Sequence, residues 1–171
     1  VNPSVSGHGR YRAGLGLYYF EEEIDEFYLV ETAAGSFKLD ANYRNNTSAV
    51  FSQLTYDVND HLSFTGGLRF TQESKAVTPD QGTLTHYALP TGVLPPNTPF
   101  FTDESEREED ISETTPMLTA TYRWNDEVMT YLSYSEGFKS GGFNTRNIAP
   151  LPSIRVFSPE YAKTLELGYK A

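Results

Sequence analysis

The sequence predicts an all-β chain, and three observations carry that prediction. Apolar and polar residues alternate with a period of two over several stretches. No segment shows a helical stripe, and Gly, Thr, Ser, Tyr and Phe, residues of strands and turns, are abundant. Two architectures fit at this level: an antiparallel up-and-down membrane barrel and a soluble sandwich. No apolar run approaches the roughly twenty residues of a transmembrane helix, but barrel strands alternate and look soluble on average.

The first strand covers residues 11–21, with Tyr11, Ala13, Leu15, Leu17 and Tyr19 alternating against Arg12, Gly14, Gly16 and Tyr18. A run of acids follows (Glu21, Glu22, Glu23, Asp25, Glu26), and then Phe27–Val30 and Phe37–Tyr43 flank Ala33-Ala34-Gly35 as a small hairpin within a long excursion. Residues 48–56 form the next strand, with Val50, Leu54 and Tyr56 on one side and Gln53 and Thr55 on the other; Phe51 breaks the alternation and leaves its apolar face undecided. Asp57-Val58-Asn59-Asp60 is a tight turn of residues whose side chains cap their own backbone. The clearest strand comes next, with Leu62, Phe64, Gly66, Leu68 and Phe70 facing one way and Ser63, Thr65, Gly67, Arg69, Thr71 and Glu73 the other. That is about the length a tilted strand needs to cross a bilayer core.

Residues 76–112 read as an irregular segment rich in Pro and Thr, ending in the acidic run Asp103–Asp110. Alternation resumes with Pro116, Leu118, Ala120, Tyr122 and Trp124 against Met117, Thr119, Thr121 and Arg123. Asn125-Asp126-Glu127 is a second tight turn, after which Val128, Leu132 and Tyr134 oppose Tyr131, Ser133 and Ser135. The chain breaks at Gly141-Gly142, runs irregularly to Phe157-Ser158-Pro159-Glu160, and ends in a strand with Leu165, Leu167 and Tyr169 on one face.

The connections discriminate better than the strands. Along the chain they run long (about 22–47), short (57–60), long (76–112), short (125–127) and long (139–159). In a meander, this puts every long segment at one end and every tight turn at the other, as in outer-membrane barrels. A soluble sandwich has no reason to sort its loops by end, and long structureless loops count against a small compact domain. Tyr56, Tyr122 and Trp124 lie beside the short turns, where a periplasmic aromatic girdle belongs.

Composition excludes several functions. The net charge of -10 argues against a nucleic-acid binder with a basic surface, and the absence of cysteine rules out disulfides and thiolate metal sites. Val1–Gly7 has neither the basic nor the apolar region of a signal peptide. Lys139-Ser140-Gly141 echoes a β-lactamase motif, but the Ser-x-x-Lys and Ser-Asp-Asn partners are missing. Gly137-Phe138-Lys139-Ser140 lacks phosphate-loop spacing and precedes no helix. His8, His61 and His86 have no partners at ligand spacing, so neither a metal centre nor a cofactor site is legible. Asp103–Asp110 could attract calcium or a cationic ligand, but its spacing fits no calcium loop and the plainer reading is a solvated acidic segment. Asn45-Asn46-Thr47 matches a glycosylation pattern, which has little meaning if the protein is bacterial.

Residues 131–144, Tyr-Leu-Ser-Tyr-Ser-Glu-Gly-Phe-Lys-Ser-Gly-Gly-Phe-Asn, with Phe157–Glu160 and Leu165–Lys170 after them, resemble the barrel of TonB-dependent outer-membrane receptors. So do Ala49–Asp57 and Leu62–Thr71 with Glu73; Gly14–Glu22 is compatible. The resemblance implies about six strands of a 22-stranded barrel, residues 1–171 being part of the barrel domain. A plug domain, a signal peptide and the C-terminal strands are expected to lie outside this sequence. It implies uptake of a scarce nutrient (siderophore-bound iron, haem, cobalamin or a glycan) driven by TonB, and no enzymatic role. Leu62, Phe64, Leu68, Phe70, Leu118, Leu132, Leu165 and Leu167 are then expected to meet lipid. Arg69, Glu73, Arg123, Glu166 and Lys170 are expected to line the lumen against the plug. The implied partners are outer-membrane lipid and lipopolysaccharide, the plug, the TonB complex and a small ligand held by the long loops. A passive porin-type channel is the competing function, and a soluble β-sandwich binding module a more distant one.

Overall fold

The computed structural model describes residues 9–101, 103–146 and 151–171, and its regular elements there are all strands. Val1–Gly7 and His8 lie outside the described residues. In order, the strands are β1 (Arg10–Glu26), β2 (Leu29–Thr32), β3 (Gly35–Asp57), β4 (Leu62–Thr83), β5 (Tyr87–Leu89), β6 (Gly92–Leu94), β7 (Arg107–Arg123), β8 (Met129–Lys139), β9 (Gly142–Asn144), β10 (Arg155–Phe157) and β11 (Glu160–Lys170). One seven-stranded sheet runs β1-β3-β4-β7-β8-β11, with β2 paired to β3; β5–β6 and β9–β10 form two small hairpin ladders. All pairings in these sheets are antiparallel, and the six long strands follow one another as an up-and-down meander. The sheet is open, with β1 and β11 as its edges.

The two short turns are built alike. In the first, Val58 N donates to Leu62 O (2.9 Å), and Asn59 Oδ1 accepts from the backbone of His61 (2.9 Å) and Leu62 (2.8 Å). In the second, Trp124 N donates to Val128 O (2.9 Å), and Asn125 Oδ1 accepts from Glu127 (2.9 Å) and Val128 (2.8 Å). Each asparagine satisfies two turn amides that would otherwise lack partners, as the sequence led one to expect.

The long segments differ from their sequence reading. Residues 22–47 are mostly strand: β1 continues to Glu26, β2 pairs with β3 across the Ala33-Ala34 turn, and β3 starts at Gly35. Residues 76–112 likewise contain the end of β4, the β5–β6 hairpin and the start of β7, so Arg107–Asp110 of the acidic run is strand. The reason is a reversal of the apolar face. In the lower half of β3 the apolar residues Val50, Leu54 and Tyr56 sit on one face; in its upper half Phe37, Leu39, Ala41 and Tyr43 sit on the other, with Lys38, Asp40, Asn42 and Arg44 between them. The backbone runs through without interruption, pairing with β4 over its whole length from Phe37↔Thr83 to Asp57↔Ser63.

The upper apolar face is covered by the long connections. Ala41, Val77, Phe101 and Ile154 form a buried cluster with Tyr43, Phe143 and Leu151 against it. Phe37, Tyr87 and Phe100 form a second. Phe101 bridges to Leu151, and Leu151 N donates to Phe100 O (2.8 Å), so the β4–β7 and β8–β11 connections are joined where both lie over β3 and β4. Two close approaches require glycine. Gly35 turns with φ 134°, and a Cβ on Gly141 would stand 2.3 Å from the carbonyl oxygen of Phe157. The strand prolines respect the ladder: Pro79 lies beyond Val77, where pairing to β7 stops, and Pro116 beyond Met117, where pairing to β8 stops.

Candidate functional site

Cross-strand register decides which residues share a face, because directly opposed residues in an antiparallel ladder point the same way. Starting from Leu68, the register runs to Ser52 and Pro116; from Phe64 it runs to Tyr56 and Ala120, and then to Leu132 and Leu167. Leu62, Phe64, Leu68, Phe70, Leu118, Leu132, Leu165 and Leu167 therefore occupy one face, and β1 adds Leu15 and Leu17 to it. Most of these side chains are bare of protein cover; Leu17 is 81% and Leu167 80% exposed. Near the short turns this face carries rings: Tyr11 stacks on Tyr56 (4.6 Å between centroids), and Tyr122 meets Trp124 edge-on (4.8 Å). A hollow of about 710 Å³ around Gly66 is a gap in the same apolar belt.

The same parity puts Arg69, Glu73, Arg123, Glu166 and Lys170 on the opposite face. They are strung across the sheet and do not converge on one centre. The Arg69 guanidinium lies over the Tyr18 ring (5.4 Å) and the Phe51 ring (5.8 Å), and its Nε donates to Thr71 Oγ1 (3.0 Å). Glu73 accepts from Thr47 (3.3 Å), and Glu166 accepts from the Tyr131 hydroxyl. Arg123 stands at the turn end beside Arg10, Arg12 and Asp57, and Lys170 lies opposite Met129. Hydroxyl pairs, Thr55 with Thr65 (2.9 Å) and Thr119 with Ser133 (2.8 Å), complete a polar wall. Phe51, which breaks the sequence alternation, belongs to this wall: its ring fills the space over Gly16, where a Cβ would stand 2.1 Å away.

Above the polar wall, on the same face, the β8–β11 connection lies across the sheet as a strap. Lys75 on β4 donates to Ser140 Oγ (2.6 Å) and Gly141 O (3.1 Å). Further along, the Tyr43 hydroxyl donates to Glu26 (3.0 Å) and contacts Thr145 Oγ1 (2.5 Å). Arg146 donates to Glu26 (3.2 Å) and the Tyr28 hydroxyl (3.3 Å), with its guanidinium over the Tyr28 ring (5.3 Å). Burial pushes the Tyr43 phenol above its ordinary pKa. The strap and the tips of β1–β3 border an open cavity of about 770 Å³, within the range of small-molecule sites.

A family model described as TonB dependent receptor-like, beta-barrel, matches residues 3–171. The chain belongs to the TonB-dependent receptor β-barrel family. Among solved structures, the ferric yersiniabactin uptake receptor FyuA from Yersinia pestis is similar at 19% identity with a TM-score of 0.68, over 96% of this chain and 23% of that one. No curated protein matches. The chain thus has the fold of a receptor barrel and spans about a quarter of the length of the solved relative. Cross-strand register places Arg69 and its companions on the face opposite the leucines. What sequence reasoning missed is the Tyr18–Phe51–Arg69 cluster and the rim around Tyr28, Tyr43 and Arg146. The first had a signal, the misplaced Phe51; the second joins residues more than a hundred positions apart and had none.

Proposed function

We propose that this TonB-dependent receptor barrel segment is a wall of an outer-membrane active-transport receptor in a Gram-negative bacterium. Such a receptor takes up a scarce small nutrient with energy relayed by TonB, with a plug domain inside the barrel. The observation that supports this reading is the partition of the sheet. One face carries an apolar belt across six strands, and the other is polar below and roofed by connecting segments above. A wall of this kind separates lipid from an aqueous lumen.

The leucines from Leu62 to Leu167 then meet the acyl chains, Tyr56, Tyr122 and Trp124 sit at the periplasmic interface, and Arg69, Glu73, Arg123, Glu166 and Lys170 face the plug. Lipopolysaccharide surrounds the upper strands. The fold similarity to a ferric siderophore receptor makes an iron chelate the first cargo to try, ahead of haem, cobalamin or a glycan.

The test is uptake by cells carrying the full-length receptor, with and without TonB. Loss of uptake without TonB is expected. Uptake that persists unchanged would replace this reading with a passive channel.

A further inference from the structure

The cavity beneath the strap combines two features. It is lined by aromatic rings contributed from four separate places: Phe27 and Tyr28 where β1 gives way to β2, Tyr43 on β3, Phe143 on β9 and Phe157 on β10. Phe27 is 71% and Phe157 50% exposed although neither belongs to the apolar belt of the opposite face, so these rings are apolar surface presented to solvent at the mouth. Exposed apolar surface rimmed by polar groups marks a binding site more often than an accident of packing.

The second feature is charge. Of the two acidic residues at the lining, Glu26 faces the cavity beside the one cation, Arg146, whereas the Asp25 carboxylate turns to the other face of the sheet and accepts from Asn42 (2.8 Å). Arg146 is already committed to Glu26 and to the Tyr28 ring. Glu22 lies on the same face of β1, so the approach to the cavity is negative. A polyanion entering here finds no uncommitted cation among the described lining residues. Rings favour an aryl group, through stacking or edge contacts, and tolerate a cation over their faces.

Resting on the transport reading above, we infer that this cavity receives an aryl-bearing cargo that is neutral or cationic, and discriminates against polyanionic chelates. Phe27 and Phe143 take the aryl group, and Glu26, which already holds the one cation of the described lining, repels excess negative charge.

The experiment uses the purified full-length receptor in detergent and three ferric chelates that separate the two features. Ferric tris-benzohydroxamate is neutral and aryl-bearing; ferric tris-acetohydroxamate is neutral without rings; a hexadentate ferric tris-catecholate is aryl-bearing and trianionic. The benzohydroxamate is expected to bind about tenfold or more tightly than either other probe, the size of one good aromatic contact. Phe27→Ala, at an exposed ring outside both buried clusters, should remove about that factor, whereas Val93→Ala at the distant β5–β6 hairpin should not. Glu26→Gln, which removes the facing carboxylate and frees Arg146, should narrow the gap to the catecholate. Tightest binding of the trianion, equal binding of the two hydroxamates, no effect of Phe27→Ala, or no binding of any probe would each overturn the inference. If the binding pattern holds but uptake ignores TonB, the transport reading fails and the cavity assignment stands.

Discussion

Leu68 stands in the middle of the apolar belt, opposite Ser52 on one side and Pro116 on the other, with half its surface open. Three residues earlier, Thr65 points the other way and shares a hydrogen bond with Thr55. If the belt meets lipid, Leu68→Arg costs about 2–4 kcal/mol in the refolding equilibrium of the full-length barrel into bilayers, and Thr65→Arg only a fraction of that. Equal costs would reverse the facing. Asp103 offers a prediction in water, outside the belt. It accepts hydrogen bonds from Ser105 Oγ (2.6 Å) and Ser105 N (3.1 Å) and pairs with Arg107 (2.6 Å). The Ser105 hydrogen bonds, hydroxyl first, hold its pKa below the ordinary aspartate value, with Arg107 adding to the effect. A lowered folded pKa means that the contact contributes fully above the unfolded value and is lost as pH falls through the folded one. Exchange protection at the Ser105 amide, corrected for intrinsic rates, should be flat near neutrality and decay on acidification below about pH 4. Asp103→Asn should remove that dependence. At this scale the facing of the leucines was readable because each sits in a period-two pattern; the role of Phe51 was not, since its partner Gly16 lies on another strand.

The two short turns and the strands they join form the next scale. Asn59→Ala and Asn125→Ala each delete an oxygen that accepts two backbone amides. Each should cost the barrel about 1 kcal/mol or somewhat more, measured by denaturant unfolding in detergent, and the two losses should depart from simple addition because His61 of the first turn is hydrogen-bonded to Arg123 beside the second (2.7 Å). Aspartate at either position should recover most of the loss, since it keeps the acceptor. The turns were legible from Asp57–Asp60 and Asn125–Glu127 because turn chemistry is local. The strand lengths were not. A reading that follows one apolar face along β3 stops near residue 47, where the face changes sides while the strand goes on to Gly35. The strap was equally hidden: Lys75 to Ser140 and Arg146 to Glu26 join residues far apart in sequence, so no local pattern announces them.

For the whole molecule the decisive property is openness. Among the described residues, β1 and β11 each leave a hydrogen-bonding edge unpaired, and both carry leucines that are largely bare. Six long strands are fewer than the eight of the smallest closed bacterial barrels. The isolated 171-residue chain in buffer is therefore expected to aggregate or to need detergent, and not to melt cooperatively as a monomer. Size-exclusion chromatography with thermal circular dichroism checks this; a soluble, cooperatively melting monomer would sink the wall-segment assignment. The fold class and the order of strands were legible at this scale because loop lengths sort by end.

The reversal within β3 has a consequence for where the barrel sits. From Asp57 up to Thr47 the strand rises about 33 Å along its length, roughly 25 Å once tilted as barrel strands are, which matches the apolar band of an outer-membrane barrel. Just above it, Arg44 pairs with Glu106 and Asn42 bridges Glu23 and Asp25 on the face that bears leucines and tyrosines below. Under the proposed facing, β3 carries its own waterline: sinking the barrel by one strand pair would drag Arg44 toward the acyl chains, and raising it would bare Tyr56 and its stacked partner Tyr11. The vertical position of the receptor is thus written into one continuous strand.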